Sequence, residues 1–476
     1  MTNHGNINGR KLVAQILEAG LTAADPYEKT KMLVRLDNGK LIVGHPCFQP
    51  FGDPHAVEEI YNLNEIDRIY VFGAGKGVQY IAKALEDIFG DLISGGHVID
   101  KKGCQIILKR IEVTLGGHPL PDEDCIKGSK RILSLSRGLT ERDLVFTITA
   151  NGVSALLTLP VPEVSLEDIR AVTSIMQIKY GVPTSDLNSV RNHLDMMKGG
   201  QISRNLYPAR MVHILAIPPK KYNDFLHNNF WLHTLPDCTT LQDAIRILKK
   251  WQAWEEVPRS VTYYLEKVNP EKETPKAKEF AGMVFRIFAI MPDDLSMLES
   301  SKRKAEELGL KTVTLIKGLQ AEAKEAGSIV AYIANNIEIE NEPVQTPCAL
   351  FTTGELLVTV GSKMGVGGRN QEFVLAAALK ISGSKQIAIG AVDSDGTDGP
   401  GTQLILDSKN IPCLAGGIVD GETLKEAKEL GLDLEEHLIN HNATPALWKL
   451  NCGIVATPNI SIDDLSVTII LDNEKN

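Results

Sequence analysis

The sequence is poor in aromatic residues and lacks long apolar runs. Phe, Trp and Tyr make up 5% of the 476 residues, so we expect a core built mostly from aliphatic side chains. A membrane-spanning helix needs about 20 consecutive apolar residues, and no run reaches that length. The polar start of the chain also lacks the apolar segment of a signal peptide. These absences predict a cytoplasmic protein with no membrane partner.

Paired cysteines and excess positive charge are also missing. The seven cysteines are scattered and form no C-x-x-C pair, which excludes a zinc knuckle and a disulfide framework. The formal net charge is -10, whereas a protein that binds nucleic acid non-specifically needs a basic surface. We therefore expect no nucleic-acid partner and a small-molecule substrate instead.

The chain is long enough for two domains, and its patterns are of the α/β kind. Residues 68–72 predict a buried strand, GAGKG at 73–77 a glycine turn, and 78–89 a helix. Strand, glycine turn and helix form the basic α/β unit. Prolines and charges concentrate at 256–281 and break the periodicity. We place the domain boundary there and predict domains at 1–280 and 281–476.

The stretch GVGGRNQEF at residues 365–373 stands between a strand-like and a helix-like segment. Glycines let the backbone approach a ligand closely, and the first amides of a helix carry its positive dipole end. Beside Arg369, this junction predicts an oxyanion site. A plain glycine turn with a surface arginine is the alternative.

Three further stretches contain candidate site residues. Lys76, just past a strand, is suited to neutralise a phosphate or a carboxylate, or is a solvated lysine on a tight turn. The loop DSDGTDG at 393–399 suits Mg²⁺ or hydroxyl binding, or is a solvated turn. On a helix at 188–198, Arg191, Asp195 and Lys198 share one broad sector. Spacing alone favours an exposed face with an Arg191–Asp195 pair.

Taken in order, these motifs resemble the class II glycerate 2-kinase family with a MOFRL domain, also labelled hydroxypyruvate reductase. The resemblance covers nearly the whole chain. It rests on Gly73-Ala74-Gly75-Lys76, Gly117-His118-Pro119, Asn188-x-Val190-Arg191-x-His193-Leu194, Lys198-Gly199-Gly200, Asp237-x-Thr239-Thr240, Glu273-Thr274-Pro275-Lys276, Gly367-Gly368-Arg369-Asn370-Gln371-Glu372 and Asp395-Gly396-Thr397-Asp398-Gly399.

The resemblance implies a Rossmann-like N-terminal domain with a mostly parallel sheet and a smaller α/β C-terminal domain of the MOFRL type. It implies an ATP- and Mg²⁺-dependent transfer of the γ-phosphoryl group to a hydroxyl of glycerate or a related hydroxy acid, in a cleft between the domains. Lys76 and Arg369 match the proposed catalytic lysine and arginine. The residues expected to bind substrate or phosphate are Gly75, Asn151, Ser154, Arg191, Lys198, Gly367, Gly368, Asn370 and Glu372. Asp395 and Asp398 are the expected metal ligands, and a homodimer is one alternative for the assembly.

Several loops depart from the family pattern. Ala150-Asn151-Gly152-Val153 replaces a Ser-Gly-Gly loop, and IPPKK at 217–221 replaces an acidic segment. The stretches at 230–235 and 456–461 also differ. These changes favour a shifted substrate and leave two alternatives open: a non-kinase enzyme (isomerase, lyase or hydrolase) acting on a hydroxy or oxo sugar acid, and a non-catalytic binding relative. A nicotinamide reductase is disfavoured because GAGK lacks the dinucleotide fingerprint.

Overall fold

A computed structural model describes residues 1–360, 365–399, 411–457 and 463–472, and the chain folds into two compact units. One unit, which we call the large unit, is Pro26–Pro292. The other, the split unit, combines Met1–Asp25 with Asp293–Asn476. The split unit begins with helix α1 (Ile7–Ala23).

A six-stranded, all-parallel sheet forms the centre of the large unit. The strands of this unit are β1 (Val34–Asp37), β2 (Lys40–Val43), β3 (Glu59–Asn62), β4 (Arg68–Ala74), β5 (Ile93–Lys101), β6 (Glu112–Gly116), β7 (Asp143–Thr149), β8 (Arg210–Leu215) and β9 (Phe285–Ala289). The parallel sheet has the order β6-β5-β4-β7-β8-β9, and β1, β2 and β3 form a separate antiparallel sheet. The strand order reverses between β4 and β7, which is the point where open α/β sheets bind ligands.

Parallel strands need crossover connections, which usually contain a helix, and helices lie in all of the connections of this sheet except the one between β5 and β6. The helices of the large unit are α2 (Pro26–Leu33), α3 (Val78–Phe89), α4 (Glu123–Leu135), α5 (Val153–Leu156), α6 (Leu166–Thr173), α7 (Thr184–His193), α8 (Gln201–Leu206), α9 (Tyr222–His227), α10 (Leu241–Lys250), α11 (Arg259–Lys267) and α12 (Ala277–Phe280). A π-helical turn, Ser174–Lys179, continues directly from α6. Every residue of β7 is buried, as expected for a central strand covered on both faces.

The split unit contains a mixed sheet. Its strands are β10 (Lys311–Leu319), β11 (Cys348–Gly354), β12 (Ile387–Asp393), β13 (Gly416–Asp420), β14 (Gly453–Ile454) and β15 (Asp464–Ile470). They are ordered β10-β11-β15-β12-β13-β14, and of these pairs only β10 and β11 are parallel in the described residues. The helices are α13 (Met297–Glu307), α14 (Ala323–Glu340), α15 (Arg369–Lys380), α16 (Thr423–Glu429), α17 (Leu434–Ile439) and α18 (Ala443–Lys449).

The two units differ from the predicted division at 280/281. Strand β9 lies beyond residue 280, yet it completes the parallel sheet of the large unit. Helix α1 belongs to the split unit because its apolar face packs on the mixed sheet. A Cβ on Gly390 of β12 would lie only 2.5 Å from Cγ1 of Val13. Helical periodicity identifies such a face but not the sheet that covers it.

The expected fold class is confirmed: a Rossmann-like unit with a parallel sheet is joined to a second, smaller α/β unit. The order of the parallel sheet is that of a doubly wound dinucleotide-type fold. Within the residues that the structure describes, no helix is long and apolar enough to cross a membrane.

A buried ion pair fixes α1 within the split unit. Nε of Arg10 lies 2.6 Å from Oδ2 of Asp420, and both side chains are fully buried. Arg10 also donates to Oγ1 of Thr423 over 3.0 Å. Because both charges are removed from water, the pair is stabilising only while both partners are present.

We therefore expect Arg10→Ala to lower the free energy of unfolding by about 3–5 kcal/mol, because Asp420 keeps a buried charge without its partner. Urea unfolding followed by circular dichroism measures the change. Lys11→Ala, an exposed site on the same helix, is the matched control and should shift the midpoint little. Equal effects of the two substitutions would contradict this account of α1.

Candidate active site

A glycine turn follows β4 at the switch point of the parallel sheet. Gly75 has a φ of +139°, and a Cβ there would lie 2.6 Å from the Cβ and the carbonyl oxygen of Ala150. Only glycine permits this approach. The N–H of Lys76 donates to the carbonyl of Asn151 over 2.7 Å. The turns after β4 and β7 are thus joined, and they bring together three predicted site residues.

Asp100 holds the start of α3 behind this turn. Its buried carboxylate accepts the N–H of Gly77 over 3.1 Å and Nε2 of Gln79 over 3.1 Å. Burial raises the pKa of Asp100. Gly77, with a φ of +74°, precedes the first residue of α3. The positive end of the α3 dipole therefore lies at the switch point, next to Lys76.

The turn after β7 brings a histidine and a serine to the same edge. A Cβ on Gly152 would lie 3.0 Å from the ring of His118 and 3.2 Å from Cγ of Lys76. Two residues later, Oγ of Ser154 lies 2.9 Å from Nε2 of the buried His233. Lys76, His118 and Ser154 are therefore grouped at the carboxyl ends of β4 and β7.

His118 shows that this edge is electropositive. Its surface is partly exposed, but enclosure by protein and the positive charges of Lys76, Lys101 and Arg191 lower the pKa of His118 to about 4. A neutral imidazole among cations marks a positive potential that favours anions. The structure thus places His118, which belongs to the Gly117-His118-Pro119 motif, within the group.

Arg191 is a buried cation without a carboxylate partner. Its Nη2 donates to Oγ1 of Thr173 over 2.8 Å, and Nη1 donates to Oδ1 of Asn188 over 3.4 Å. Burial lowers the pKa of Arg191 to about 10. The exposed Arg191–Asp195 pair that spacing favours is not formed, because Asp195 binds another cation.

That other cation is Lys198, which we expected to bind substrate. Its Nζ lies 2.5 Å from Oδ2 of Asp195 and 2.9 Å from Oγ1 of Thr158, and the pair is buried. The backbone N–H groups of Leu159, Met197 and Lys198 also donate to this carboxylate. Lys198 is thus held in a buried ion pair, and its expected contact with substrate stays a prediction.

In the split unit, the glycine stretch before α15 packs against the acidic loop. A Cβ on Gly368 would lie 2.3 Å from Cγ of Asp398, and one on Gly399 would lie 2.0 Å from the carbonyl oxygen of Gly367. The carboxylate of Asp398 accepts the N–H groups of Asn370 over 3.2 Å and of the following glutamine over 2.8 Å. The helix amides that we expected to bind an external oxyanion are capped by the protein's own carboxylate.

Arg369 is surrounded by carboxylates. Its Nε lies 2.8 Å from Asp464, one Nη lies 3.0 Å from Asp393, and the other lies 3.2 Å from Glu355. Burial, together with the charges of Asp395 and Asp464, raises the pKa of Asp393, and burial raises the pKa of Asp464. The positive charge of Arg369 is thus shared among three acids, and its expected catalytic role stays a prediction.

The expected metal ligands fit a metal ion poorly. Both oxygens of Asp398 are directed at α15, and burial together with Asp464 raises the pKa of Asp398 to about 7. Oδ1 of Asp395 accepts the N–H of Thr397 over 2.8 Å and its hydroxyl over 2.6 Å. In the ranges that the structure describes, no three acidic, histidine or cysteine side chains are arranged to hold a metal ion.

Two further expected residues extend the polar network of α15. Nδ2 of Asn370 donates to Oδ1 of Asp464 over 2.7 Å. The buried carboxylate of Glu372 lies 2.9 Å from Nδ1 of His441, and burial raises the pKa of Glu372. Asn370 therefore positions Asp464, and Glu372 positions His441.

Sequence reasoning missed three residues of these groups: Thr173, His233 and Asp464. Thr173 is the last residue of α6, where no motif marks it. His233 lies in the 230–235 stretch, which departs from the family pattern. Asp464 begins β15, outside the recognised motifs. These three residues are identified only by their contacts with Arg191, Ser154 and Arg369 in the folded structure.

The fold and these groups define a class: two-unit α/β enzymes that handle small anions at the edge of a doubly wound sheet. Residues 12–266 match the family described as a domain of unknown function, DUF4147, and residues 348–460 match the MOFRL family. The sequence is 34% identical to the glycerate 2-kinase of Pyrococcus horikoshii over 466 residues, which is 98% of each chain. The chain therefore belongs to the glycerate kinase family.

Other relatives agree with this assignment. The D-glycerate 2-kinase of Thermotoga maritima is 31% identical over 427 residues, which is 88% of this chain and 95% of the relative. A crystal structure of glycerate kinase from Thermotoga maritima matches with a TM-score of 0.73 and 29% identity, over 97% of this chain and 99% of that one. The predicted family and fold are confirmed, and the roles of single residues stay predictions.

The carboxylates around Arg369 lead to a stability prediction. Removing the cation leaves Asp393, Asp464 and Glu355 facing one another, so we expect Arg369→Ala to lower the melting temperature. Because the folded-state pKa values of Asp393 and Asp464 are raised, these acids take up protons in the folded state as the pH falls, which relieves the repulsion.

The difference in melting temperature between parent and Arg369→Ala should therefore be larger at pH 8 than at pH 5. Differential scanning calorimetry at both values measures it, with the exposed Arg137→Ala as control. A difference independent of pH would show that repulsion among these acids is not the cause.

Proposed function

We propose that the protein transfers the γ-phosphoryl group of ATP, supplied with Mg²⁺, to a hydroxyl of glycerate. One observation carries the proposal: the chain matches a glycerate 2-kinase over 98% of both lengths while keeping Lys76 at the switch point of the sheet. The relatives' names favour the 2-hydroxyl and 2-phosphoglycerate as the product.

The chemistry suits the large unit. Phosphoryl transfer needs positioning and neutralisation of charge more than covalent catalysis. Lys76 is held by the hydrogen bond of its own N–H to Asn151, beside the positive end of α3. We assign Lys76 the neutralisation of the transferring phosphoryl group, with Gly75, Asn151 and Ser154 as its neighbours in binding the anion.

Magnesium would be brought by the nucleotide. The acidic loop of the split unit does not form a metal cage in the described residues, and Mg²⁺ usually keeps several waters and phosphate ligands. Binding as the ATP complex is therefore compatible with few protein ligands. We retain Asp395 as the residue of this loop that we expect to contact Mg²⁺, and we assign Asp398 to the capping of α15.

For Arg369 we propose an indirect role. Its ion pairs with Asp393, Asp464 and Glu355 hold together the ends of three strands and the start of α15. Gly367, Gly368, Asn370 and Glu372 belong to the same arrangement. Loss of Arg369 is expected to reduce activity together with the stability of the split unit.

The first test is turnover of D-glycerate with ATP and Mg²⁺ by the purified protein and by Lys76→Ala. Removing one charged group that stabilises the transition state typically lowers kcat by about 10²–10³-fold, and we expect a loss of that size. Lys130→Ala, an exposed lysine of α4, is the matched control and should keep the parent's rate.

Enolase added alone to the mixture identifies the product, because enolase dehydrates 2-phosphoglycerate directly and 3-phosphoglycerate not at all. An absorbance increase from phosphoenolpyruvate supports transfer to the 2-hydroxyl. If the parent protein forms no ADP with glycerate, the kinase proposal is wrong. That result would favour the alternative of a non-kinase enzyme, an isomerase, lyase or hydrolase. Full activity of Lys76→Ala would contradict the proposal that this lysine neutralises the transferring phosphoryl group.

A further inference from the structure

The charge of Arg191 is not balanced within the large unit. In the part of the chain that the structure describes, Arg191 hydrogen-bonds only to the neutral side chains of Thr173 and Asn188. The charge of Asp195 acts on Arg191, but the Asp195 carboxylate forms its ion pair with Lys198 at 2.5 Å. A buried charge without a partner is strongly unfavourable. A protein keeps such a group where a ligand supplies the opposite charge.

A second polar group beside Arg191 also lacks a partner. Nδ2 of Asn188 is buried and makes no hydrogen bond to any described residue. Asn188 and Arg191 are three residues apart on α7 and therefore lie on one face, as the hydrogen bond between them shows. Buried donors are rarely left unsatisfied. An amide donor and a guanidinium on one helix face together match an acceptor with two oxygens.

The surroundings favour an anion and not a neutral ligand. Burial and the charges of Lys198 and Arg191 lower the pKa of His233 well below its usual range. His118, which also experiences the charge of Arg191, is neutral for the same kind of reason. Because Asp195 is paired with Lys198, Arg191 brings to this side of the parallel sheet a positive charge that no ion pair with the protein neutralises.

Thr173 holds the guanidinium in place. Its hydroxyl accepts from both Nε and Nη2 of Arg191 and donates to the carbonyl of Ile169 over 2.9 Å. The π-helical turn Ser174–Lys179 begins at the next residue, and such turns occur frequently at functional sites. These bonds leave other N–H groups of the guanidinium for a ligand.

We propose that Arg191 and Asn188 bind the carboxylate of the substrate and thereby select a small 2-hydroxy acid over a neutral polyol. This inference rests on the proposed function and adds the residues that recognise the acid. A guanidinium binds a carboxylate through two parallel hydrogen bonds, and the Asn188 amide adds a third donor. In a 2-hydroxy acid the reacting hydroxyl is on the carbon bonded to that carboxylate.

The sharpest test places a carboxylate on the protein itself. In Asn188→Asp, the new acid can pair with Arg191 and take the place of the substrate. We expect the affinity for D-glycerate, measured by calorimetry without nucleotide, to fall about 10- to 100-fold, the loss that corresponds to one or two charge-assisted hydrogen bonds. The KM for ATP should stay unchanged, and the melting temperature should equal or exceed that of the parent.

Asn205→Asp, an exposed position of α8, adds the same charge outside the proposed site and is the matched control. It should keep the affinity for glycerate. A purely structural role of Asn188 predicts the reverse pattern: a lower melting temperature in Asn188→Asp with an unchanged affinity for glycerate. That result would overturn the proposal.

Arg191→Met provides the second variant. Replacing an unbalanced buried charge by an apolar side chain of similar length should not lower the melting temperature. We expect it to abolish the rise in melting temperature that D-glycerate causes in the parent, and to remove the preference for D-glycerate over glycerol. Retained glycerate binding in Arg191→Met would contradict the assignment.

The two proposals fail in distinguishable ways. Binding of glycerate by the parent that is lost in both variants supports the carboxylate site even if no phosphoryl transfer occurs. Phosphorylation of glycerate with an unchanged KM in both variants supports the kinase function and overturns the site. A parent that neither binds nor phosphorylates glycerate overturns both proposals.

Discussion

The close approach of two turns at the centre of the parallel sheet is the constraint on which the candidate site depends. Gly75 passes so near Ala150 that no side chain fits between them, and the hydrogen bond from Lys76 to Asn151 joins the turns. The strand order reverses at this point, so the helices that follow β4 and β7 diverge to opposite sides. Lys76, His118 and Ser154 lie in the gap between these helices.

The two units treat their arginines in opposite ways. The split unit surrounds Arg369 with carboxylates and caps α15 with Asp398, so the polar groups of its glycine motif are satisfied internally. The large unit leaves Arg191 buried with neutral partners only, among the described residues. An arginine that is paired with the protein's own carboxylates stabilises the fold. A buried arginine without an ion pair is available to bind the anionic group of a ligand. In the proposed carboxylate site, the residues that recognise the substrate therefore lie in the large unit.

The sequence predicted much of the fold because its strongest signals are local. A buried strand followed by GAGKG and an amphipathic helix indicates a parallel α/β unit, and the structure confirms β4 and α3 at those positions. Motif order identified the family across nearly the whole chain. The sequence placed Lys76 just past a strand, the family resemblance pointed to Asn151 and Ser154, and the topology brings these residues to the same edge of the sheet.

By itself, then, the sequence determined the α/β class, the family and the turns that carry candidate residues, since glycine spacing and periodicity are properties of neighbouring residues. Only the tertiary structure decided which charges are balanced. Spacing on the predicted 188–198 helix paired Arg191 with Asp195, but α7 ends at His193 and the fold pairs that acid with Lys198. It likewise assigned α1 to the split unit through Arg10 and Asp420, which are 410 residues apart. The pairing of a buried charge depends on long-range contacts, and no local pattern encodes which of several acids is near.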